Sequence, residues 1–438
     1  APRRLALCAC LFAFALAAAA PPVGARQLNS YERERGRQML KAIKEDIKKN
    51  YYDPNFRGID LEERFRQADE MLKQAQSNGQ VLGIIAQVLV SFDDSHLFFI
   101  PPQRPARTDY GWGMQMLGDR CYVSFVKPGS DAEKKGLKEG DLVHLVSGMK
   151  PTREDLWKIK YLLYSLRPQS GMTVVVERPG GAPREVDVLA KVTELKRLIA
   201  LTNPNEYMKL LIDEQRAARL TRHRFAEVGE ELFVWKMPQF DLPKEKVDGI
   251  VDKFRKHKAV IIDLRGNGGG YQETLLRLVG NFFDRDVKLG DSVRRKETKP
   301  LVAKTAGDRV YGGKLIVLID SESGSSSEIF ARVVQLEKRG AVIGDRSAGA
   351  VMGAYHYSHQ VGIDTVTLYG ASVTVEDLLM TDGKSLEHAG VTPDEVRLPT
   401  PADMAARRDP VLAHAASLLG VQLTPEKAGA MFPVEWDK

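Results

Sequence analysis

Two stretches of this chain share one grammar, and it limits the fold more than any other feature. "KAVIIDLRGNGGGYQETLLRLVGNFF" (258–283) and "KLIVLIDSESGSSSEIFARVVQ" (314–335) each run from a short apolar segment, through a turn of small residues, into apolar spacings of three and four. A strand-length apolar run, a glycine- or serine-rich turn and a helix form the repeating unit of an α/β sheet. "LFVWKMPQF" (232–240) reads as an entering strand, "DLPKEKVDGIVDKFRKH" (241–257) as a helix and "GAVIGD" (340–345) as a further short strand. Strands alternating with helices predict a mainly parallel sheet with its functional turns at the strand ends.

At 438 residues the chain is too long for one ordinary core. Residues 31–90 set apolar residues at helical spacing among mixed charges and predict a small helical domain. It closes in "LVSFDDSHLFFIPP", where Pro101 and Pro102 stop regular structure. From about residue 110 the texture changes to short alternating runs between glycines: strands at 121–126 and 142–146, a short helix at 131–135, and turns at Gly136 and Gly140. In the tail beyond residue 400 one helical stretch is expected, "DPVLAHAASLLG".

Residues 1–25 carry Arg3 and Arg4, an apolar run over 5–20, and the small residues Val23, Gly24 and Ala25, the pattern of a secretory signal. Export to a periplasm or beyond is expected; the alternative is an uncleaved membrane anchor, for which the run is short and ended by Pro21 and Pro22. Cys8 and Cys10 would leave with this segment, so Cys121 would remain alone and no internal disulfide could form. Hydrophobic residues at 43% and charged residues at 28% fit a globular chain. The formal charge of +6 is small for this length and gives no case for nucleic acid. No later segment is apolar and long enough to cross a bilayer.

The serine turn admits two readings. Ser325, three residues before Glu328 and just ahead of Ile329 and Phe330, fits a capping box. The same serine could be a nucleophile if a base takes its proton and amides stabilise the oxyanion, and a helix start offers such an amide at Ser326. The glycine turn matches neither nucleotide-loop spacing, but an N–H at Gly268 or Gly269 could be the second oxyanion donor, with Arg265 and Asn267 shaping the turn. Cys121 falls in a β-like run, where a buried structural thiol is expected.

The stretch "PGSDAEKKGLKEGDLV" resembles a PDZ domain over residues 110–192. That resemblance implies a C-terminal peptide added as a strand, its carboxylate held by the loop Gly111, Trp112, Gly113, Met114. Taken in order, the PDZ-like part, "IIDLRGNGGG", "DSESGSSSEIFA" and "DGKSLEHAGVTPDEV" resemble the tail-specific, or C-terminal processing, serine proteases. The family places the nucleophile at Ser325. Its better-known branch uses a lysine base shortly after the serine helix, but here that place falls near Ala350, no Lys occurs between Lys338 and Lys384, and Arg346 stays protonated.

Histidine can take the role. His96 in "FDDSHLFFIPP" resembles the tricorn-type branch, which implies Ser95 and His96 meeting Ser325, with Glu387 as the distant carboxylate; Asp382 and Asp394 are nearby acids that could be mistaken for it. Alone, His96 could equally be a solvated or capping side chain. His356 and His359 have spacing that could hold a metal on a helix, but their region reads as a strand and no third ligand suggests itself. No metal or cofactor is expected.

These readings assemble into a multidomain α+β and α/β chain: signal peptide 1–25, N-terminal helical domain 26–108, PDZ-like β-rich domain 109–195, α/β protease core 196–400 with a mainly parallel crotonase/ClpP-like sheet, and tail 401–438. The implied activity is an exported serine endopeptidase acting on unfolded or C-terminally recognised proteins. Its rivals are a catalytically inactive peptide- or ligand-binding module and an enzyme of acyl thioesters on a related fold. Protein or peptide partners are expected, with no stable membrane span; the sequence does not set the oligomeric state.

Overall fold

In the computed structural model residues 28–194, 222–362 and 366–434 are described, and the expected signal segment lies outside them. Three helices realise the N-terminal pattern: α1 (Ser30–Asn50), α2 (Leu61–Lys73) and α3 (Asn78–Val90). Each starts at a side chain that accepts a first-turn amide, namely Asn29, Asp60 and Ser77. Their apolar stripes do not close a core alone. Ile43, Phe65 and Ile85 pack with Phe99, Ala371 and Val373, which belong to β1 (Phe98–Ile100) and to a long strand near the end of the core.

A second unit follows β2 (Ala106–Asp109): β3 (Trp112–Leu117), β4 (Arg120–Val126), α4 (Asp131–Lys134), β5 (Leu142–Val146), α5 (Leu156–Lys160) with a wide helical turn Tyr161–Leu166, β6 (Gly171–Glu177) and β7 (Arg184–Leu189). They form an antiparallel sheet in sequence order, with β3 at its edge. β8 (Lys191–Glu194) returns to pair with β2. The expected loop Gly111–Met114 is corrected here. Trp112, Gly113 and Met114 lie inside β3, because Trp112 and Met114 are buried in the core of this sheet, and the Gly111 N–H is already donated to Asp109 at 2.9 Å.

The central sheet contains β9 (Arg224–Val228), β10 (Leu232–Lys236), α6 (Lys244–Phe254), β11 (Ala259–Asp263) and α7 (Gln272–Gly280). A hairpin of β12 (Val287–Arg294) and β13 (Thr298–Ala303) intervenes before β14 (Lys314–Ile319), α8 (Ser326–Leu336) and β15 (Ala341–Gly344). Next come β16 (Met352–Val361), β17 (Thr367–Met380) and β18 (Glu395–Val396). The sheet order is β18-β15-β14-β11-β10-β9, parallel throughout except where β9 meets β10. Alternate residues bury to opposite faces: Phe233 and Trp235 with Val317 on one, Leu232 and Val234 with Ile316 on the other. A strand buried on both sides needs both faces covered, which is why these runs are continuously apolar.

Helices of the core supply one cover and the tail the other. The expectation of one tail helix is corrected to three: α9 (Pro401–Ala405), α10 (Pro410–Leu418) and α11 (Pro425–Met431). Each opens with a Thr or Asp cap followed by Pro, a start signal that short length hides from periodicity. A further sheet, absent from the sequence reading, joins β1, β12 and β13 to one side of β17 and β16 to its other side.

Candidate active site

After α3 the chain turns at Asp93 (φ +52°). The next carboxylate, Asp94, is buried and accepts the Tyr51 hydroxyl at 2.9 Å, the Thr374 hydroxyl at 2.7 Å and the His96 N–H at 3.0 Å. It pins the Ser95–His96 pair between the helical domain and β17. Sequence reasoning missed Asp94; the available signal was an acid two residues before an amide it could cap, an Asx turn.

Glu387 reaches the same pair from the far end of the core. Its carboxylate accepts the Ser95 N–H, the Ser95 hydroxyl and the Val351 N–H, each at 2.9 Å. The Ser95 Oγ is also 2.7 Å from His96 Nδ1. With the single hydroxyl proton directed at the carboxylate, Oγ accepts from Nδ1–H, and the Nε2 lone pair is left free. Burial lowers the His96 pKa below its ordinary value, with Asp94 opposing and His356 adding to the shift. Burial raises that of Glu387, opposed by the Ser95 amide. Asp382 instead pairs with Arg332, and Asp394 accepts the Val342 N–H, so neither joins this relay.

Ser325 sits at the N-cap of α8 with φ +52° and ψ −118°, a conformation non-glycine residues rarely hold. Its N–H is shared between the Ala350 carbonyl at 2.8 Å and Glu328 Oε2 at 2.9 Å. Its carbonyl takes the Glu328 N–H, and its hydroxyl makes no cap bond. Glu328, fully buried, also accepts the Ser347 hydroxyl at 2.6 Å and the amides of Gly349 and Ala350 at 2.7 and 3.0 Å. Burial pushes its pKa up to about 7 against these donors. This role too went unread, because the same spacing serves for an ordinary cap.

The two halves meet on one peptide group. The Ala350 carbonyl holds Ser325, and the N–H of the same peptide, on Val351, holds Glu387. Among the described residues no hydrogen bond joins the Ser325 hydroxyl to His96.

Gly269 packs against the serine: a Cβ there would stand 2.6 Å from Ser325 Cβ and 3.0 Å from the Ser326 nitrogen. Its expected part as oxyanion donor is corrected, since its N–H donates to Asn267 Oδ1 at 2.8 Å. Among the described residues the Ser326 and Gly268 amides have no hydrogen-bond partner. Arg265 bridges Asp263 and Asp409, the N-cap of α10, tying the glycine turn to the tail. Although burial would raise it, Asp263 is held below the usual carboxylate range by Arg265 and Lys236.

His359 contacts Asp46 and His356 lies against the Phe98 ring, and no group of three ligating side chains occurs among the described residues. Burial pushes the Cys121 thiol up to about 12. A cavity of about 800 Å³ lies away from Ser325 and His96, between β3 and α5 on one side and Arg265, Asp320 and Phe432 on the other. The antiparallel unit docks there, with Gln115 donating to Asp320 at 2.5 Å and Ser321 to the Met116 carbonyl at 2.7 Å.

The fold thus brings into one region a positive-φ serine at a helix start, amides without a partner among the described residues in the turns beside it, and a hydrogen-bonded chain from Glu387 through Ser95 to His96. Residues 234–397 match the model of peptidase family S41, a family of serine peptidases, so the chain carries a domain of that family and is homologous to the tail-specific and C-terminal processing proteases. It is 25% identical to the tail-specific protease of Haemophilus influenzae over 76% of this chain and 48% of that protein. It is 24% identical to the chloroplastic C-terminal processing peptidase of Tetradesmus obliquus over 80% of this chain and 74% of that one. The chain thus spans about half the length of the first relative. Mature CPAF, solved with lactacystin, shares the fold at a TM-score of 0.62 and 16% identity, over 86% of this chain and 96% of that one. Among the described residues no helix is long and apolar enough to cross a membrane.

Proposed function

We propose that the chain is an exported serine endopeptidase that cleaves polypeptides through an acyl-enzyme at Ser325. The observation that carries this reading is the relay from Glu387 through Ser95 to His96, anchored on the same peptide group as Ser325. In the first step Ser325 Oγ attacks the scissile carbonyl and His96 Nε2 takes its proton. The imidazolium then protonates the leaving amine, and a water deprotonated by His96 releases the acyl group. Ser95 and Glu387 hold the tautomer and offset the imidazolium charge. The Ser326 and Gly268 amides receive the oxyanion. No rotation of the serine backbone is needed, because its φ and ψ already turn it out of the cap.

The antiparallel unit is read as a PDZ-like domain whose edge strand β3 takes a C-terminal peptide inside the neighbouring cavity. Because the core turn at Ser321 contacts that strand, an occupied edge would be felt five residues or fewer from the nucleophile. Deletion of residues 110–192 with unchanged turnover and selectivity would remove this part of the proposal.

A serine-reactive phosphonate tests the whole. Expected are labelling of the wild type, none of Ser325→Ala, and cut sites in an unfolded protein that vanish in Ser325→Ala and His96→Ala. The missing Ser325–His96 hydrogen bond favours one second reading, a ligand-holding module that does no chemistry. Peptide binding without labelling would select it. Such bonds commonly tighten only on substrate binding.

A further inference from the structure

Eight non-glycine residues hold positive φ among the described residues, and three of them, Arg57 (+54°), Asp93 (+52°) and His388 (+62°), meet at one carbonyl. The oxygen is that of Asp93, in the peptide unit from which Asp94, Ser95 and His96 follow. It accepts Arg57 Nη1 from the N-terminal domain and, at 2.9 Å, His388 Nε2 from the loop behind Glu387. A carbonyl only accepts, so the ring proton at this contact sits on Nε2. The same ring stands 3.7 Å from Glu387 Oε1 and 3.9 Å from Asp93 Oδ2, while Lys158 of the antiparallel unit approaches Asp93 Oδ1 at 4.0 Å. When charged, it favours the ionised form of Glu387. The His388 backbone makes a second tie: its N–H donates to the Gly349 carbonyl at 2.7 Å, and the Gly349 amide holds Glu328 at 2.7 Å. Side chain and main chain of one residue therefore grip the turn that carries His96 and the turn that braces Ser325.

Glycine would hold φ +62° without strain, so a histidine there destabilises the fold unless its surroundings offset it. Packing does not offset it, because the side chain is 52% exposed. What remains is its hold on Asp93. Asp94 and Glu387 fix the Ser95–His96 pair through its own groups, but neither fixes the peptide plane ahead of it; Arg57 ties that plane to the N-terminal domain and His388 ties it to the core. We infer that His388 is a positioning residue of the proposed reaction, holding the Asp93 carbonyl so that the His96 imidazole stands in line with Ser325. The inference rests on Ser325 being the nucleophile and His96 its base. Because no hydrogen bond joins those two among the described residues, proton transfer depends on how closely the two turns are registered. A slack register lowers kcat without weakening substrate binding.

His388→Gly removes the ring and suits the backbone. With a quenched fluorogenic peptide spanning a mapped cut site, kcat should fall roughly tenfold while KM stays within about twofold of wild type, and the thermal midpoint should not drop. His388→Gln returns an N–H at the reach of Nε2 and should recover most of that loss, whereas His388→Leu keeps bulk without a donor and should not. Wild-type kcat in the glycine variant overturns the inference, as does a loss that the glutamine and leucine variants share equally. A fall in kcat that tracks a lowered midpoint shows a scaffold role and overturns it too. Should the glycine variant fail to fold, the glutamine and leucine pair decides by the same criterion. Phosphonate labelling run alongside separates the two ideas: a labelled wild type with an unaffected glycine variant removes the role of His388 alone, whereas an unlabelled wild type removes both.

Discussion

Two helix starts in this molecule carry the same spacing and do different work. At α1, Asn29 and Glu32 exchange bonds of 2.8 and 2.9 Å on the exposed surface, with Asn29 at φ −82°. At α8, Glu328 reaches back to Ser325 as Glu32 does to Asn29, but the serine is at φ +52° and its hydroxyl returns nothing to the helix. The first arrangement satisfies orphan amides and ends there. The second leaves the helix-start N–H of Ser326 and the hydroxyl both unspent, and hands the retention of the turn to a buried carboxylate with four donors. What differs is the environment of the glutamate. A cap stabilises through its own side chain; here the side chain is released because the backbone is held elsewhere.

The contrast is broken most directly by truncation. Ser325→Ala should reduce turnover by about 10⁴-fold or more, whereas Asn29→Ala should retain activity and lose about 1 kcal/mol of stability; cut-site mapping and denaturant unfolding read the two. Activity surviving Ser325→Ala would end the comparison.

Next come the glutamates. Glu328→Gln puts an amide among four donors, and kcat should fall about 100-fold, the scale of a small misplacement of reacting groups, while KM stays near its wild-type value. Glu32→Gln should leave both constants alone. A Glu328→Gln enzyme with normal kcat would make that carboxylate a cap like any other.

Acid pH probes the same pair of roles. Two groups must be deprotonated, His96, which burial lowers from 6.5, and Glu328, which burial raises to about 7. The higher one sets the acid limb, so wild-type kcat/KM should fall below about pH 7. In Glu328→Gln that limb should move down to the His96 range, below 6.5. A limb that does not move shows that ionisation of Glu328 is not needed for turnover.

The smallest effect concerns strain. Ser325→Gly should stabilise the fold by about 1 kcal/mol, since glycine holds positive φ freely, while Asn29→Gly should cost a few tenths of a kcal/mol. Thermal unfolding reads both signs.

How much was legible follows the range of the interactions. β10, β11, β14 and their turns announce themselves through local apolar runs and small residues, whereas the candidates Ser325, Ser95, His96 and Glu387 rest on the family resemblance. Local pattern could not say that Glu328 is more than a cap, because that depends on Ser347, Gly349 and Ala350 arriving from another turn. Gly269 misled for the converse reason. The turn opens it to the serine, but the Asn267 side chain two residues earlier claims its N–H. The β12–β13 hairpin and β17 have mixed polarity, since one end of β17 is covered by the N-terminal helices and the other by its hairpin neighbours; the period-two signal is diluted accordingly.

The peptide group between residues 350 and 351 has a consequence for the order of synthesis. A ribosome emits His96 early, the serine well after it, and Glu387 last of the relay. Until the final stretch has emerged, the imidazole has no partner to fix its tautomer and the loop around 350 nothing to brace it. In the proposed mechanism, therefore, the relay to His96 is complete only once Glu387 has been made and has folded against Ser95 and Val351.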